Sequence, residues 1–349
     1  MNVKELASRI LGAKFDFEIK EENFDGVFVK YADGTAIIGS NTVPAKARAY
    51  MLLAKGISEG KTEFTIEETA HFDMCGVMLD MSFGSVTKPD GVKRYLDYMA
   101  LFGMNMLMLY TEDTYEIEGY PLFGYQRGRY TLAELQDIDN YANDLGIEVI
   151  PCIQTFGHLS KFLRYKAHKN IAENDACLLP GEEKTYEFIE ACVATCKKAF
   201  RSSRIHIGCD ETRGLGFGKS FTRDGYRDRF EIYNEHLGRV AEICKKYDYH
   251  PMMWSDMFFR LGFNGEYYPP ADSKIDPTVI DLVHPNVELV YWDYYHDDAK
   301  LHDHMLSEHA RMGKTAFAGG NWVWSGFLPH VKMTEETMRP ALCACAKHK

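Results

Sequence analysis

From Met74 onward, short and nearly uninterrupted apolar runs alternate with amphipathic segments, a pattern that few folds accept. The runs are 75–81 (CGVMLDM), 104–110 (MNMLMLY), 147–153 (IEVIPCI), 204–209 (RIHIGC), 250–257 (HPMMWSDM), 287–293 (VELVYWD) and 314–319 (KTAFAG). Parallel strands covered on both faces read this way, whereas half-solvated strands alternate apolar and polar residues. Between the runs the apolar residues recur at helical spacing. Val92, Tyr95, Leu96 and Met99 share one face, which Gly103 closes. Thr131 and Glu134 form a capping box before Leu135, Ile138, Ala142 and Leu145, with Gly146 as the stop. Tyr186, Ile189, Val193, Cys196 and Phe200 repeat the spacing, as do Phe230, Tyr233, Leu237, Val240 and Cys244. The pattern predicts about seven βα units and with them an α/β fold, a (β/α)8 TIM barrel. A doubly wound open sheet is the runner-up, weakened because no glycine-rich dinucleotide turn follows the first strand. The last helical segment, about 334–346, is the seventh, and no eighth strand follows it. A seven-strand barrel leaves two unpaired edges. The expectation is therefore a barrel that lacks its eighth strand, either truncated at its C-terminal end or closed by another segment.

Residues 1–70 read differently. Val27–Tyr31 and Thr35–Gly39 flank Asp33-Gly34, a hairpin signal. A helix carrying Ala45, Ala49, Leu52, Leu53 and Ile57 follows, then a strand at Thr62–Ile66. The expected organisation is a small α+β domain over 1–70 and a barrel domain over 71–349.

Composition limits the partners. The net charge is −11 with both signs interspersed. Nucleic acid and anionic membrane both call for a basic patch, and neither is expected as a partner. No run approaches the roughly 20 apolar residues that span a bilayer. The charged, amphipathic start MNVKELASRILGAKF does not read as a secretory signal. Without one, the nine cysteines read as reduced thiols of a cytoplasmic protein. Cys343, Cys345 and His348 do not have a zinc spacing, and their segment reads as helix. A homodimer is compatible with the sequence, which does not fix the oligomeric state.

Barrel active sites sit at the C-terminal strand ends. The fourth strand ends in Ile205-His206-Ile207-Gly208-Cys209-Asp210-Glu211. An ionised carboxylate on an apolar strand tip costs several kcal/mol unless paired, so two in a row call for a reason. Successive strand residues point to opposite faces, and both carboxylates share one site only where the backbone turns. Like charges that close raise at least one pKa, and a carboxylic acid kept protonated can donate to a glycosidic oxygen. A solvated helix cap is the plain alternative for a bare Asp-Glu pair; after IHIG at a barrel strand end, catalysis is the stronger reading. The other strand ends carry Asp80 and Ser82; Tyr110, Glu112 and Asp113; Gln154 and His158; Trp254 and Asp256; Trp292, Asp293, Tyr294 and Tyr295; and Asn321, Trp322 and Trp324. All four tryptophans of the chain thus fall at or just past strand ends. Aromatic faces beside Asp, Asn and His suit a carbohydrate pocket, though one tryptophan alone would read as core. His158 reads equally as a buried histidine on a loop carbonyl or as a polar group beside the acid. His296, His302, His304 and His309 read as a solvated helix face.

The motif His206-x-Gly208-x-Asp210-Glu211 resembles the strand-four signature of glycoside hydrolase family 20, the β-N-acetylhexosaminidases. Tyr110–Tyr115 (YTEDTY), Glu118–Pro121 (EGYP), Gln126–Tyr130 (QRGRY), Ile150–Thr155 (IPCIQT), Met252–Met257 (MWSDM within it) and Tyr291–Tyr295 (YWDYY) are similar to the same family, particularly its bacterial N-acetylglucosaminidase branch. The likeness covers about residues 25–349. It implies a hydrolase that removes terminal non-reducing N-acetyl-β-D-hexosamine by substrate-assisted retention, without metal or cofactor, from a small or oligosaccharide substrate. By motif, Glu211 would be the general acid/base and Asp210 would orient the acetamido group. Trp254, Trp292 and Trp322 would wall the sugar, Tyr294 would donate to the acetamido carbonyl, and Asp293 and His158 would give polar support. Two places depart from the family. Cys75 stands where an Arg usually precedes the strand-one Gly, and Ser82-Phe83 stands where a Ser-Arg pair is common. Each lost guanidinium contact removes about 1.5–3 kcal/mol of charge-assisted hydrogen bonding to sugar. The eighth-strand Trp and acidic residue are also lacking. Two rivals follow: a non-catalytic N-acetylhexosamine-binding protein on this scaffold, and a metal-dependent barrel enzyme using His158, Asp210, Asp256 and Asp293.

Overall fold

The structure is a computed structural model that describes residues 2–270 and 273–348. The chain divides into two compact units. The first comprises Met1–Tyr110, Tyr130–Ile150 and Ala199–Ser202; the second comprises Thr111–Arg129, Pro151–Lys198 and Ser203–Lys349.

The first unit opens with a helix, Val3–Leu11, whose first amides are capped by the Asn2 side chain and which ends at left-handed Gly12. Four strands follow in one sheet: β1 (Glu18–Glu22), β2 (Val27–Ala32), β3 (Thr35–Ser40) and β4 (Phe64–Glu68), in the order β1-β3-β2-β4. β2 and β3 form the expected hairpin, with Asp33 at φ 49° and Gly34 at φ 68° in the turn. Positive φ at both central residues is what a two-residue hairpin loop needs for its twist to match the strands. The helix Val43–Ser58 is capped by the Thr42 hydroxyl and buries Ala47, Ala49, Leu52 and Leu53. β1 (EIKEE) is nearly all charged and carries no strand pattern; it forms by parallel pairing with β3.

A second sheet contains β5 (Gly76–Asp80), β6 (Met106–Glu112), β7 (Glu148–Ile153), β8 (Arg204–His206), β9 (His250–Trp254), β10 (Glu288–Asp293) and β11 (Thr315–Gly319). Its order follows the sequence from β5 through to β11. The pairings β5–β6, β7–β8, β8–β9, β9–β10 and β10–β11 are parallel. This is barrel topology in which each strand neighbours the next, lacking one strand of a closed eight. All seven residues of β6 are buried, as its apolar run requires. The expected helices Pro89–Leu101, Leu132–Asp144 with its Thr131/Glu134 capping box, Glu183–Ala199, Arg229–Lys246 and Ala299–Met312 stand between the strands, and Val331–Lys347 follows β11.

Three local readings are corrected. The run 204–209 is extended only through His206, because Gly208 (φ 72°) and Cys209 (φ 67°) turn the backbone before the carboxylates. The run 250–257 ends at Trp254, and a short helix, Asp256–Gly262, begins there. The histidines of Ala299–Met312 do not form a solvated face, since His302 and His309 are buried. Their ring nitrogens are used inside the fold. His302 lies 3.1 Å from the Tyr291 hydroxyl and 3.0 Å from the His296 carbonyl. His309 lies 2.6 Å from the Met305 carbonyl and 2.8 Å from Ser255 Oγ. The helix is polar enough to look solvated, but these hydrogen bonds make the rings cheap to bury.

Candidate active site

The C-terminal ends of β6 to β11 place their polar residues within the second compact unit, and the carboxylate pair is its centre. After β8 the backbone stays tied to both neighbours. The Ile207 amide donates to Met252 O (2.8 Å), and Thr155 N donates to Ile207 O (3.2 Å). It then passes through left-handed conformations at Gly208, Cys209 and Glu211 (φ 43°). These break strand alternation, so that adjacent side chains converge. Glycine is required at 208: a Cβ there would come within 2.0 Å of Gln154 Oε1 and 3.0 Å of the Ile153 carbonyl. Gly157 is required by a close approach of the neighbouring loop, since a Cβ would meet the Asp210 carbonyl oxygen at 2.7 Å. The turn is pinned from several directions. The Tyr233 hydroxyl donates to Cys209 O (2.8 Å), Thr155 Oγ1 donates to Ile207 O (2.8 Å), and Asn174 Nδ2 donates to Arg213 O (3.0 Å).

His158 joins the two carboxylates. Its Nε2 lies 3.0 Å from Asp210 Oδ2 and 3.8 Å from Glu211 Oε2, and its Nδ1 lies 3.8 Å from Glu112 Oε1. The contact with Asp210 is close but not aligned as a hydrogen bond. Burial lowers the imidazole pKa, but the Asp210 contact and the charges of Asp210, Glu112 and Glu211 outweigh it and carry it up to about 9. His158 is therefore a cation at neutral pH, in the midst of three carboxylates. The ring thus stands beside the carboxylates. Gln154 Nε2 donates to Asp210 Oδ1 (3.3 Å). The Asp210 side chain is 13% exposed and that of Glu211 is 30% exposed, so Glu211 is the more open of the pair. Arg213 Nη2 stands 3.4 Å from both Glu211 oxygens.

Around this core lie Asp113, Arg127 and Asp256, of which the sequence reading named only Asp256 in a site, as a ligand in the metal-dependent rival. Asp113 is buried, which raises its pKa against the opposing pull of Arg127, whose Nε lies 3.2 Å away. Arg127 Nη2 also lies 3.9 Å from Glu112. Asp256 is fully buried and accepts the Glu211 amide at 3.3 Å. Glu112, Asp113, Gln154 and Asp256 all stood at strand ends, which was the available signal; Arg127 had only its place in the QRGRY stretch.

The aromatic residues divide. Trp292 and Tyr294 stack at 5.3 Å, Tyr294 meets Trp324 at 5.5 Å, and Trp324 stacks on Trp322 at 5.0 Å. Trp322 Nε1 donates to the Tyr294 carbonyl (2.7 Å). Burial, and then the charge of Asp210, raises the Tyr294 phenol. Trp254 stands apart from the wall: it is buried, its ring 4.5 Å from that of His206. Full burial pulls His206 down to about 4 and keeps it neutral. Asp293 is buried and turned to its own loop, accepting from the Tyr291 hydroxyl (3.1 Å) and from the Tyr295 (2.9 Å) and His296 (3.2 Å) amides. No cluster of three or more His, Cys, Asp or Glu among the described residues could hold a metal ion. Nor is any helix among them long and apolar enough to cross a membrane.

A carboxylate pair at barrel strand ends, beside a histidine and an aromatic wall, is an arrangement suited to glycoside chemistry. The catalytic domain of glycosyl hydrolase family 20 matches residues 72–305, and the chain belongs to that family. It is 27% identical to bovine (Bos taurus) hexosaminidase D over 232 residues, covering 64% of this chain and 62% of that protein. To human (Homo sapiens) hexosaminidase D it is 28% identical over 235 residues, covering 65% and 46%. The chain thus spans less than two thirds of either relative's length. In fold it is similar to the family-20 exo-β-N-acetylglucosaminidase of Vibrio harveyi, solved in complex with N-acetylglucosamine. That match has a TM-score of 0.69 at 17% identity and covers 91% of this chain and 55% of the other.

Proposed function

We propose that this chain removes terminal non-reducing N-acetyl-β-D-hexosamine residues by substrate-assisted retention. The convergence of Asp210 and Glu211 on the His158 imidazole carries the reading. Glu211, the more open carboxyl, acts as general acid/base. The substrate's acetamido oxygen attacks the anomeric carbon while the glycosidic C–O bond breaks, and the leaving oxygen takes the Glu211 proton. The resulting oxazolinium ion is opened by water, which gives its proton back to Glu211, so configuration is retained. Asp210 orients the acetamido N–H and stabilises the cation that forms. The His158 cation stands 3.0 Å from Asp210 and holds that side chain in place. Trp292 and Trp322 wall the sugar together with Tyr294, which donates to the acetamido carbonyl; Trp254 closes the floor beside His206. Asp293 supports the Tyr294 loop from within.

Two further readings accompany this one. Residues 1–70 form a small domain separate from the barrel at 71–349, supported by the four-stranded sheet that ends at Glu68 before β5 begins at Gly76. The abundance of cysteine, nine in the chain, supports a reducing, cytoplasmic setting.

The test is hydrolysis of 4-nitrophenyl N-acetyl-β-D-glucosaminide by the chain and its Glu211→Gln variant. General acid–base catalysis contributes typically about 10²–10⁴-fold, so the variant should lose at least about 100-fold in kcat. An unimpaired variant removes Glu211 from the role. Calorimetric binding of N-acetylglucosamine without turnover by the wild-type chain removes the activity.

A further inference from the structure

Asp256 has no part in the chemistry described above, yet its environment is hard to explain as packing. It lies two residues beyond Trp254, in the first turn after β9, and is completely buried. Burying a carboxylate costs several kcal/mol unless its partners compensate. Oδ2 accepts the Glu211 amide (3.3 Å) and lies 3.2 Å from Arg260 Nε. Oδ1 has no hydrogen-bond partner among the described residues. Burial first, and then the charge of Asp210, pushes the Asp256 carboxyl well above the ordinary range. A carboxylate kept for the fold alone is normally saturated. Glu173 shows this: it is buried too, and accepts from the Gly218 and Ser220 amides and the Ser220 hydroxyl.

The amide that Asp256 holds belongs to a residue in an unfavourable conformation. Glu211 sits at φ 43°, following Gly208 at 72° and Cys209 at 67°. A non-glycine residue there costs about 1–3 kcal/mol and persists only where its surroundings hold it. Tyr233 fixes the Cys209 carbonyl and the Gly157 loop abuts the Asp210 carbonyl, while Asp256 fixes the Glu211 amide.

We propose that Asp256 is a positioning residue for Glu211: its Oδ2 pins the Glu211 amide and so sets the direction in which the acid/base side chain leaves the turn. This rests on the reading of Glu211 as acid/base. Asp256 itself touches no substrate. It acts from the turn just after β9, the strand that also sets Trp254 against His206, so one strand end fixes both the acid and the floor of the site.

The experiment compares the full chain with Asp256→Ala and Asp256→Asn, using the same nitrophenyl glycoside and amide hydrogen exchange at Glu211. Asparagine keeps an oxygen able to accept the Glu211 amide; alanine does not. Because a misplacement of about 1 Å can cost about 100-fold, the alanine variant should lose on the order of 100-fold in kcat with KM within about threefold, and the asparagine variant should stay within about tenfold of wild type. Glu211 exchange should quicken with alanine and stay protected with asparagine. A folded alanine variant with kcat within about threefold of wild type overturns the proposal, as does an asparagine variant as impaired as alanine. If the alanine variant does not fold, Asp256→Ser, whose hydroxyl is too short to reach, takes its place. A wild-type chain that hydrolyses nothing sinks the acid/base reading instead. Exchange then decides for Asp256 alone, and unquickened exchange in the alanine variant overturns the anchoring.

Discussion

His158 Nε2 stands 3.0 Å from Asp210 Oδ2, a charged contact at the centre of the carboxylate cluster. Burial works against the imidazolium, and the surrounding carboxylates overcome it, raising the pKa from 6.5 to about 9. A folded-state pKa above the unfolded one means that the proton binds more tightly in the native state. The stabilisation is fully present below about pH 6.5 and is lost as pH rises through about 9. Urea unfolding of wild type and His158→Gln from about pH 6 to about pH 10 should show their stability difference narrowing across that window. A difference that stays constant, or widens with pH, contradicts the pairing.

The same contact predicts a reciprocal effect. Asp210→Asn removes the partner that does most to raise His158, leaving Glu112 and Glu211 as weaker influences. The imidazole should then titrate well below about 9, on the way back to its ordinary value. An NMR titration of the ring protons reads this directly and needs no activity. An unmoved midpoint would place the source of the raised pKa elsewhere.

The fold was legible where burial is written in composition. β6 is buried along its whole length and apolar through Tyr110, and that run was plain in the sequence. β1 was not legible, since a strand of mostly charged residues can form by pairing alone. The carboxylate pair could be read because two acids on an apolar strand are anomalous wherever the strand packs. Asp256 was legible only as a strand-end acid, read as a ligand in the metal-dependent rival, and not as a partner of the carboxylate turn. Its burial and its hold on the Glu211 amide are tertiary facts. His302 and His309 failed in the opposite sense: polar residues on a polar helix, buried by hydrogen bonds to Tyr291, His296, Met305 and Ser255.

Gly157 tests how tightly two loops must meet. A Cβ at this position would lie 2.7 Å from the Asp210 carbonyl oxygen, a backbone atom that cannot swing away. In Gly157→Ala the 154–158 loop and the carboxylate turn must separate by several tenths of an ångström. Overpacking of this kind costs about 1–3 kcal/mol in stability. Catalysis should suffer more, by about tenfold or greater in kcat, because the turn carries both carboxylates. Equal activity for the folded variant and wild type would show that the turn tolerates the shift.

The aromatic wall gives the last prediction. Trp322 is nearly buried, stacks on Trp324 at 5.0 Å and donates its indole N–H to the Tyr294 carbonyl at 2.7 Å. Trp324 stacks on Trp322 and meets Tyr294 edge-on at 5.5 Å, but is 53% exposed. Trp322→Phe keeps an aromatic face and removes the hydrogen bond that holds the Tyr294 backbone, worth about 1 kcal/mol. If Tyr294 and Trp322 line the sugar site together, N-acetylglucosamine should bind about five- to tenfold more weakly, with kcat changed less than KM. Trp324→Phe keeps the Trp322 hydrogen bond and should weaken binding less. Calorimetry on both variants separates the two. If the Trp324 change costs as much as the Trp322 change, stacking area rather than the hold on Tyr294 sets the wall; if neither weakens binding, the wall does not contact the sugar.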